Sequence, residues 1–170
     1  MLRTPENFDW NKFDTNILKP FLKNELFEGI IGKKELELLS KEDLVQKSGT
    51  VLIGIHDPDS DLNITEVTDG FDAVLELKFW DIEKPIGTCN PISPEQGKEL
   101  FDFIIKNQNK RFLVHCHAGM SRSAGIGCAI ECIVNFNSNV YHYKTATSDI
   151  RSHSRYFINW TVFDQIMEQG

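Results

Sequence analysis

The chain has 170 residues and a formal net charge of −7, enough length for one domain with a sizeable core and the wrong sign for a dedicated nucleic-acid or anionic-membrane binder. No apolar stretch approaches membrane-spanning length, and Met1 to Lys23 is too charged for a signal peptide, so a cytoplasmic protein is expected. The cysteines at positions 89, 116, 128 and 132 show no zinc-ligand spacing; no metal, no other cofactor and no structural disulfide are expected.

Residues 1–24 carry Phe8, Trp10, Phe13, Ile17, Leu18, Phe21 and Leu22, interrupted by Pro20, which suits an irregular arm packing on a domain formed by residues 25–170. Leu26 to Ile31 reads as a first strand, Lys33 to Gln46 as a short charged helix, and Val51 to His56 as a second strand closed by Asp57-Pro58. Apolar and polar residues alternate from Ala73 to Phe79, a third strand ending in Trp80-Asp81. After a loop with Pro85, Gly87 and Pro91, Ser93-Pro94-Glu95-Gln96 begins a helix, with Ser as N-cap, Pro in the first position and Gln three after the cap. Leu100, Phe101, Phe103, Ile104 and Ile105 give it a broad buried face up to Asn107.

Arg111 to His115 then has the β-branched and aromatic character of a buried strand, and Ser121 to Val134 carries Ile126, Ala129, Ile130, Ile133 and Val134 at helical spacing. Beyond a polar connection at 135–140, a helix is expected over Tyr141 to Arg151, and Ile158-Asn159 opens a last one through Val162, Phe163, Ile166 and Met167. Lys144, Arg151, His153 and Arg155 form a basic cluster, read as solvated surface, with a position facing the site as the alternative. Strands alternating with helices imply an α/β domain, with a mostly parallel sheet of about four to five strands flanked by helices.

The sharp passage from strand to helix at 114–125 holds the chemistry. Small residues, a Gly, a Cys and an Arg fill it, which lets backbone N–H groups of His117, Ala118, Gly119, Met120 and Ser121 turn inward at the positive end of a helix and hold an anion. A thiol in that setting, beside an Arg, ionises readily, so Cys116 is expected as a thiolate. Arg122 can grip two phosphoryl oxygens in a bidentate fork. Ser123 can donate a hydrogen bond to the sulfur as it leaves, and His115 is placed to order the loop backbone.

A proton donor is also needed for the leaving oxygen of a phosphate ester. Were the strands at 73–79 and 111–115 parallel neighbours, their C-terminal ends would share one sheet edge and Asp81 would emerge beside Cys116. Asp81 is the expected general acid, with nearby Glu83 as its alternative and Asp57, at the end of another strand, as a more distant one.

His115-Cys116-His117-Ala118-Gly119-Met120-Ser121-Arg122-Ser123-Ala124-Gly125 resembles the signature of the cysteine-dependent protein tyrosine phosphatase superfamily, His-Cys-x5-Arg-[Ser/Thr], and is closest to the dual-specificity subgroup. The resemblance spans roughly Val51 to Met167. It implies metal-independent phosphomonoester hydrolysis through a phosphocysteine, with an acidic residue on a movable loop about as far upstream as Asp81. In the tyrosine-specific branch that acid follows Trp-Pro, where this chain has Trp80 alone. An Asn that braces the catalytic loop corresponds to Asn159, with Ile158 in place of the usual Pro. Phosphoprotein is the implied substrate and partner, phosphotyrosine first, with phosphoserine and phosphothreonine after it. A nucleotide, sugar or lipid phosphate is the alternative substrate, and a phosphoprotein-binding pseudophosphatase the alternative from another class. The pseudophosphatase ranks below catalysis because the Cys, the Arg and an acid are all present.

Overall fold

The computed structural model describes residues 16–22, 25–42, 44–60, 68–136, 150 and 155–169. Four parallel strands form the sheet that carries everything else: β3 (Ile30–Gly32), β4 (Thr50–His56), β5 (Ala73–Lys78) and β6 (Arg111–Cys116), in the order β3-β6-β4-β5. A separate two-residue ladder pairs β1 (Phe21–Leu22) with β2 (Glu25–Leu26), antiparallel. Among the described residues the helices are α1 (Lys33–Lys41), α2 (Pro94–Lys106), α3 (Arg122–Phe136) and α4 (Trp160–Met167).

The side-chain alternation of each strand divides two cores. Val51, Ile53 and Ile55 of β4 point with Phe112 and Val114 of β6 into the larger core, where Leu100 and Ile104 of α2, most of α3, and Val162, Phe163 and Ile166 of α4 meet them. Leu52 and Leu113 point the other way, toward Ile31, Leu36 of α1 and Val45. α3 is buried on nearly every side, as expected of a helix apolar all round. It therefore starts from a fixed point against the sheet.

Local sequence explains most boundaries. Ser93 Oγ accepts from the Gln96 backbone N–H at 3.1 Å while Gln96 Oε1 accepts from Ser93 N–H at 3.0 Å, the expected capping box. Asn159 caps α4 by accepting from Val162 N–H at 3.2 Å. Two boundaries differ from expectation by more than two residues. The helix read as Lys33 to Gln46 ends at Lys41, because Val45 is buried and bridges Leu22, and Gln46 N–H bonds the Phe21 carbonyl at 2.9 Å. Pairing to a distant segment outcompetes helical continuation. The strand read as Leu26 to Ile31 splits into β2 and β3 around Gly29, whose backbone lies so close to those of Leu18 and Phe112 that a Cβ would meet their carbonyl oxygens at 2.6 Å.

Strands β5 and β6 are parallel, but they are not neighbours: β4 lies between them and pairs with both. This corrects the adjacency on which the placement of Asp81 was argued. Their C-terminal ends still share one edge, with the end of β4 between.

Ile17 and Leu18 are buried in the larger core, and Arg111 holds the carbonyls of Asn16 and Lys19 at 3.0 and 2.8 Å. Phe8, Trp10 and Phe13, the expected helix over 141–151 apart from Ile150, and Lys144, Arg151 and His153 of the basic cluster lie outside the described residues. Arg155 binds the Ile30 carbonyl and stands 4.0 Å from Glu28.

Candidate active site

Cys116 is the last residue of β6 and Arg122 the first of α3, so the loop 117–121 is short and clamped at both ends. Gly119 makes the turn with φ 71°, a left-handed conformation that favours glycine. A Cβ there would also collide with the backbone of Ile31 and Gly32 at 2.3 Å. The loop is tied to the end of β3 by Lys33 N–H donating to the His117 carbonyl at 3.1 Å. It closes on the sulfur: Gly119 N–H donates to Cys116 Sγ at 3.2 Å, and Ser123 Oγ lies 3.1 Å from the same atom.

Arg122 is 4% exposed and held from two other strand ends. Its Nη1 donates to the Phe79 carbonyl at 2.7 Å, just past β5, and to Asp57 Oδ1 at 2.8 Å, just past β4. Its Nε–H is buried and has no partner among the described residues. One nitrogen thus fixes the guanidinium while another remains free to bind. Asp57, weighed above only as a distant acid, is the carboxylate that anchors this arginine. The signal for it was its place at the end of a strand on the Cys edge.

Asp81 follows Trp80 in the loop after β5. Its Oδ1 accepts from Ser121 Oγ at 2.8 Å and from Asn159 Nδ2 at 2.9 Å. Ser121 therefore contributes its side chain to the acid loop, a contact its sequence position did not reveal. Asn159 joins three parts: its backbone N–H bonds the Ser121 carbonyl at 3.2 Å, its amide holds Asp81, and its Oδ1 caps α4.

A cleft of about 460 Å³ is lined by Cys116, His117, Ala118, Met120, Ser121 and Arg122 together with Asp57, Trp80, Asp81, Ile82 and Phe157. Glu83 lines an adjoining cleft with Asp81, Ser121, Phe157 and Asn159, and is absent from the wall shared with Cys116. Phe157, 69% exposed at the mouth of both, was not singled out by the sequence. It is held there by its N–H bonding the Met120 carbonyl at 2.9 Å.

His115 points to the opposite face of the sheet from Cys116, since neighbouring strand residues alternate. Burial drives its imidazole pKa down to about 3, with repulsion from His56 adding to the effect, so the ring is neutral at pH 7. His56, 5.2 Å away between ring centroids, is lowered too, chiefly by burial.

Four parallel strands with helices on both faces, and a strand–loop–helix presenting Cys116 at the sheet edge, make this the fold of the cysteine-dependent protein tyrosine phosphatases, of the dual-specificity kind. PTPMT1 in complex with PI(5)P is similar with a TM-score of 0.53 at 18% identity, over 85% of this chain and 88% of that one. The Cydia pomonella PTP-2 phosphatase gives 0.52 at 21% identity, over 89% of each chain. DUSP15 gives 0.50 at 23% identity, over 81% of this chain and 80% of that one. No family model matches the sequence. A stretch of 64 residues is 39% identical to the mouse interleukin-15 receptor subunit alpha, covering 36% of this chain and 23% of the receptor, so the chain spans under a quarter of that relative and takes no function from it.

Proposed function

We propose that this chain hydrolyses phosphomonoesters through a phosphocysteine at Cys116, acting on phosphoprotein. The observation that carries the reading is the convergence on one cleft of a thiol from the end of β6, a buried arginine from the start of α3 with an N–H unpartnered among the described residues, and a carboxylic acid from the loop after β5. The cleft supplies its own nucleophile and its own cation, so the reaction as written requires no added metal.

In the first step the Cys116 thiolate attacks phosphorus. The S–P bond forms as the ester P–O bond breaks, and Asp81 gives its proton to the departing oxygen. Because Asp81 Oδ1 already accepts two hydrogen bonds, Oδ2 is the oxygen left to carry that proton. In the second step water attacks phosphorus, Asp81 takes the water's proton, and the S–P bond breaks with Ser123 Oγ donating to the released sulfur. Arg122 and the 117–122 backbone hold the equatorial oxygens through both steps, where positive charge counts most.

The rim supports this choice of substrate class. His117, Ala118, Met120 and Ser121 bring no fixed positive charge for a second phosphate, and Phe157 offers an exposed aromatic face beside the cleft. Both favour an aryl phosphate such as phosphotyrosine in a protein over a polyphosphorylated small molecule. Residues 25–170 are read as the catalytic domain and residues 1–24 as an arm packed on it. A reducing cytoplasm suits a catalytic thiolate.

A phosphopeptide panel assayed in chelator tests this. The wild type should release phosphate, phosphotyrosine fastest, with inhibition by vanadate; Cys116→Ser should show no turnover, and Arg122→Lys should lose at least about a hundredfold in kcat/KM. Turnover by Cys116→Ser, or strict dependence on an added divalent metal, would overturn the mechanism.

A further inference from the structure

We propose that the sheet holds one divalent ion of the zinc class, bound by His56, Glu76 and His115, on the face opposite the buried Cys116 side chain. The three residues come from adjacent strands. His115 of β6 pairs with Gly54 of β4, and Gly54 pairs with Glu76 of β5, so all three occupy one row across the sheet; His56 lies two residues along β4 and hence on the same face. Their nearest ligand atoms lie within 4.8 Å of one another, with His56 Nε2 3.5 Å from Glu76 Oε1.

Gly54 makes the convergence possible. A Cβ at that position would lie 2.5 Å from His115 Nε2, so any other residue would push the imidazole off the β4 backbone and away from the other two ligands. The glycine leaves a trough across the central strand, and His115 lies in it.

The second observation is independent of the spacing. His115 is 1% exposed and His56 5%, yet among the described residues neither ring nitrogen of His115 nor Nε2 of His56 has a well-aligned hydrogen-bond partner, the nearest for His56 being Glu76 Oε1 at 3.5 Å. Buried polar nitrogens without partners are uncommon and costly. Here three such nitrogens sit on two rings, and one nitrogen of each ring lies within 4.8 Å of a Glu76 carboxylate oxygen.

Donor type selects the ion. Two imidazoles and a carboxylate are ligands of zinc and its neighbours, whereas calcium and magnesium take oxygen throughout. Zinc–ligand bonds near 2.0 to 2.1 Å place tetrahedral ligands roughly 3.3 Å apart. The His56–Glu76 pair, at 3.5 Å, is close to that spacing, and ion binding would draw in the wider gap of up to 4.8 Å. The side chain of Glu76 is 31% exposed, so the site opens to solvent on that side, where the ion enters and water takes the fourth position. Lys33 and Lys78 also bear on this face and weaken cation binding without removing it; Lys33 is partly drawn off by Glu37 at 3.8 Å. An ion here ties the residue before Cys116 to the neighbouring strands, bracing the base of the catalytic loop from behind.

The test uses the full chain stripped by chelator, as wild type and as Cys116→Ser, titrated with zinc against a chromophoric chelator and followed by thermal unfolding. One equivalent should bind to both proteins and raise Tm in both. Cobalt should give visible ligand-field bands without the intense near-ultraviolet band of a thiolate ligand. Glu76→Gln, a change at a solvent-facing position, should weaken binding at least about tenfold and remove the Tm rise. Three results would overturn the proposal: no stoichiometric ion in either protein, which leaves a bound water as the partner of these nitrogens; binding unchanged in Glu76→Gln; or binding and a thiolate band that both vanish in Cys116→Ser.

Discussion

Replacing Asp57 by Ala is expected to destabilise the protein and to tighten its grip on phosphate. Arg122 is 4% exposed and the Asp57 side chain 31%, joined at 2.8 Å. Removing one partner of a fully buried pair costs about 3 to 5 kcal/mol, and of an exposed pair under about 1. With Asp57 partly in solvent and the Phe79 carbonyl still on Nη1 at 2.7 Å, the loss should be near 2 kcal/mol. For a chain of this size each kcal/mol moves Tm by about 2 to 4 °C, so a fall of about 4 to 8 °C is expected. A bound oxyanion then supplies the counter-charge that Asp57 no longer provides. If it recovers about 1.4 kcal/mol, phosphate should bind Asp57→Ala about tenfold more tightly than wild type, and the Tm gain per increment of phosphate should be larger in the variant. Thermal unfolding across a phosphate titration reads both effects. A variant melting within about a degree of wild type, or equal phosphate gains in the two proteins, would refute the role given to Asp57.

Two further predictions concern single ionisable groups. Asp81→Asn should slow hydrolysis of alkyl phosphates by about 10² to 10⁴, slow a nitrophenyl phosphate far less, and flatten the alkaline limb of the kcat/KM profile; Glu83→Gln should be near wild type and Asp57→Asn should affect all leaving groups alike. If Glu83→Gln shows the leaving-group-dependent loss instead, the acid is misassigned. For His115 the folded-state pKa of about 3 lies below the usual 6.5, so its contribution to stability is intact above pH 6.5 and is lost as pH falls toward 3, while the unfolded chain takes up the proton. In chelator, unfolding free energy should therefore fall by up to about 1.4 kcal/mol per pH unit across that window. His115→Gln should flatten the slope, and an unchanged slope would show that other groups set it.

Much of the fold was legible because its signals are local. The Ser93–Gln96 capping box, the Asn159 cap and the alternation of Ala73 to Lys78 depend on residues within one turn or one strand. So does the loop 116–123, where the Cys, the Gly at positive φ, the Arg and the Ser must follow in fixed order for one strand–helix turn to assemble them. Chain order alone therefore brings the Cys116 thiol, the Arg122 guanidinium and the Ser123 hydroxyl together.

What remained hidden depends on which strands lie side by side. The insertion of β4 between β5 and β6 is a matter of sheet order, which alternation within each strand does not encode, and it converts Asp57 from a rival acid into the anchor of Arg122. The early end of α1 at Lys41 comes from pairing with Leu22, and the side chain of Ser121 meets Asp81 across forty positions of chain. His56, Glu76 and His115 have no metal-ligand spacing along the sequence, because their proximity is created across three strands and only above a glycine. Local propensity chooses the elements, but burial of their shared faces chooses the neighbours, and the contacts between neighbours orient Arg122 and Asp81.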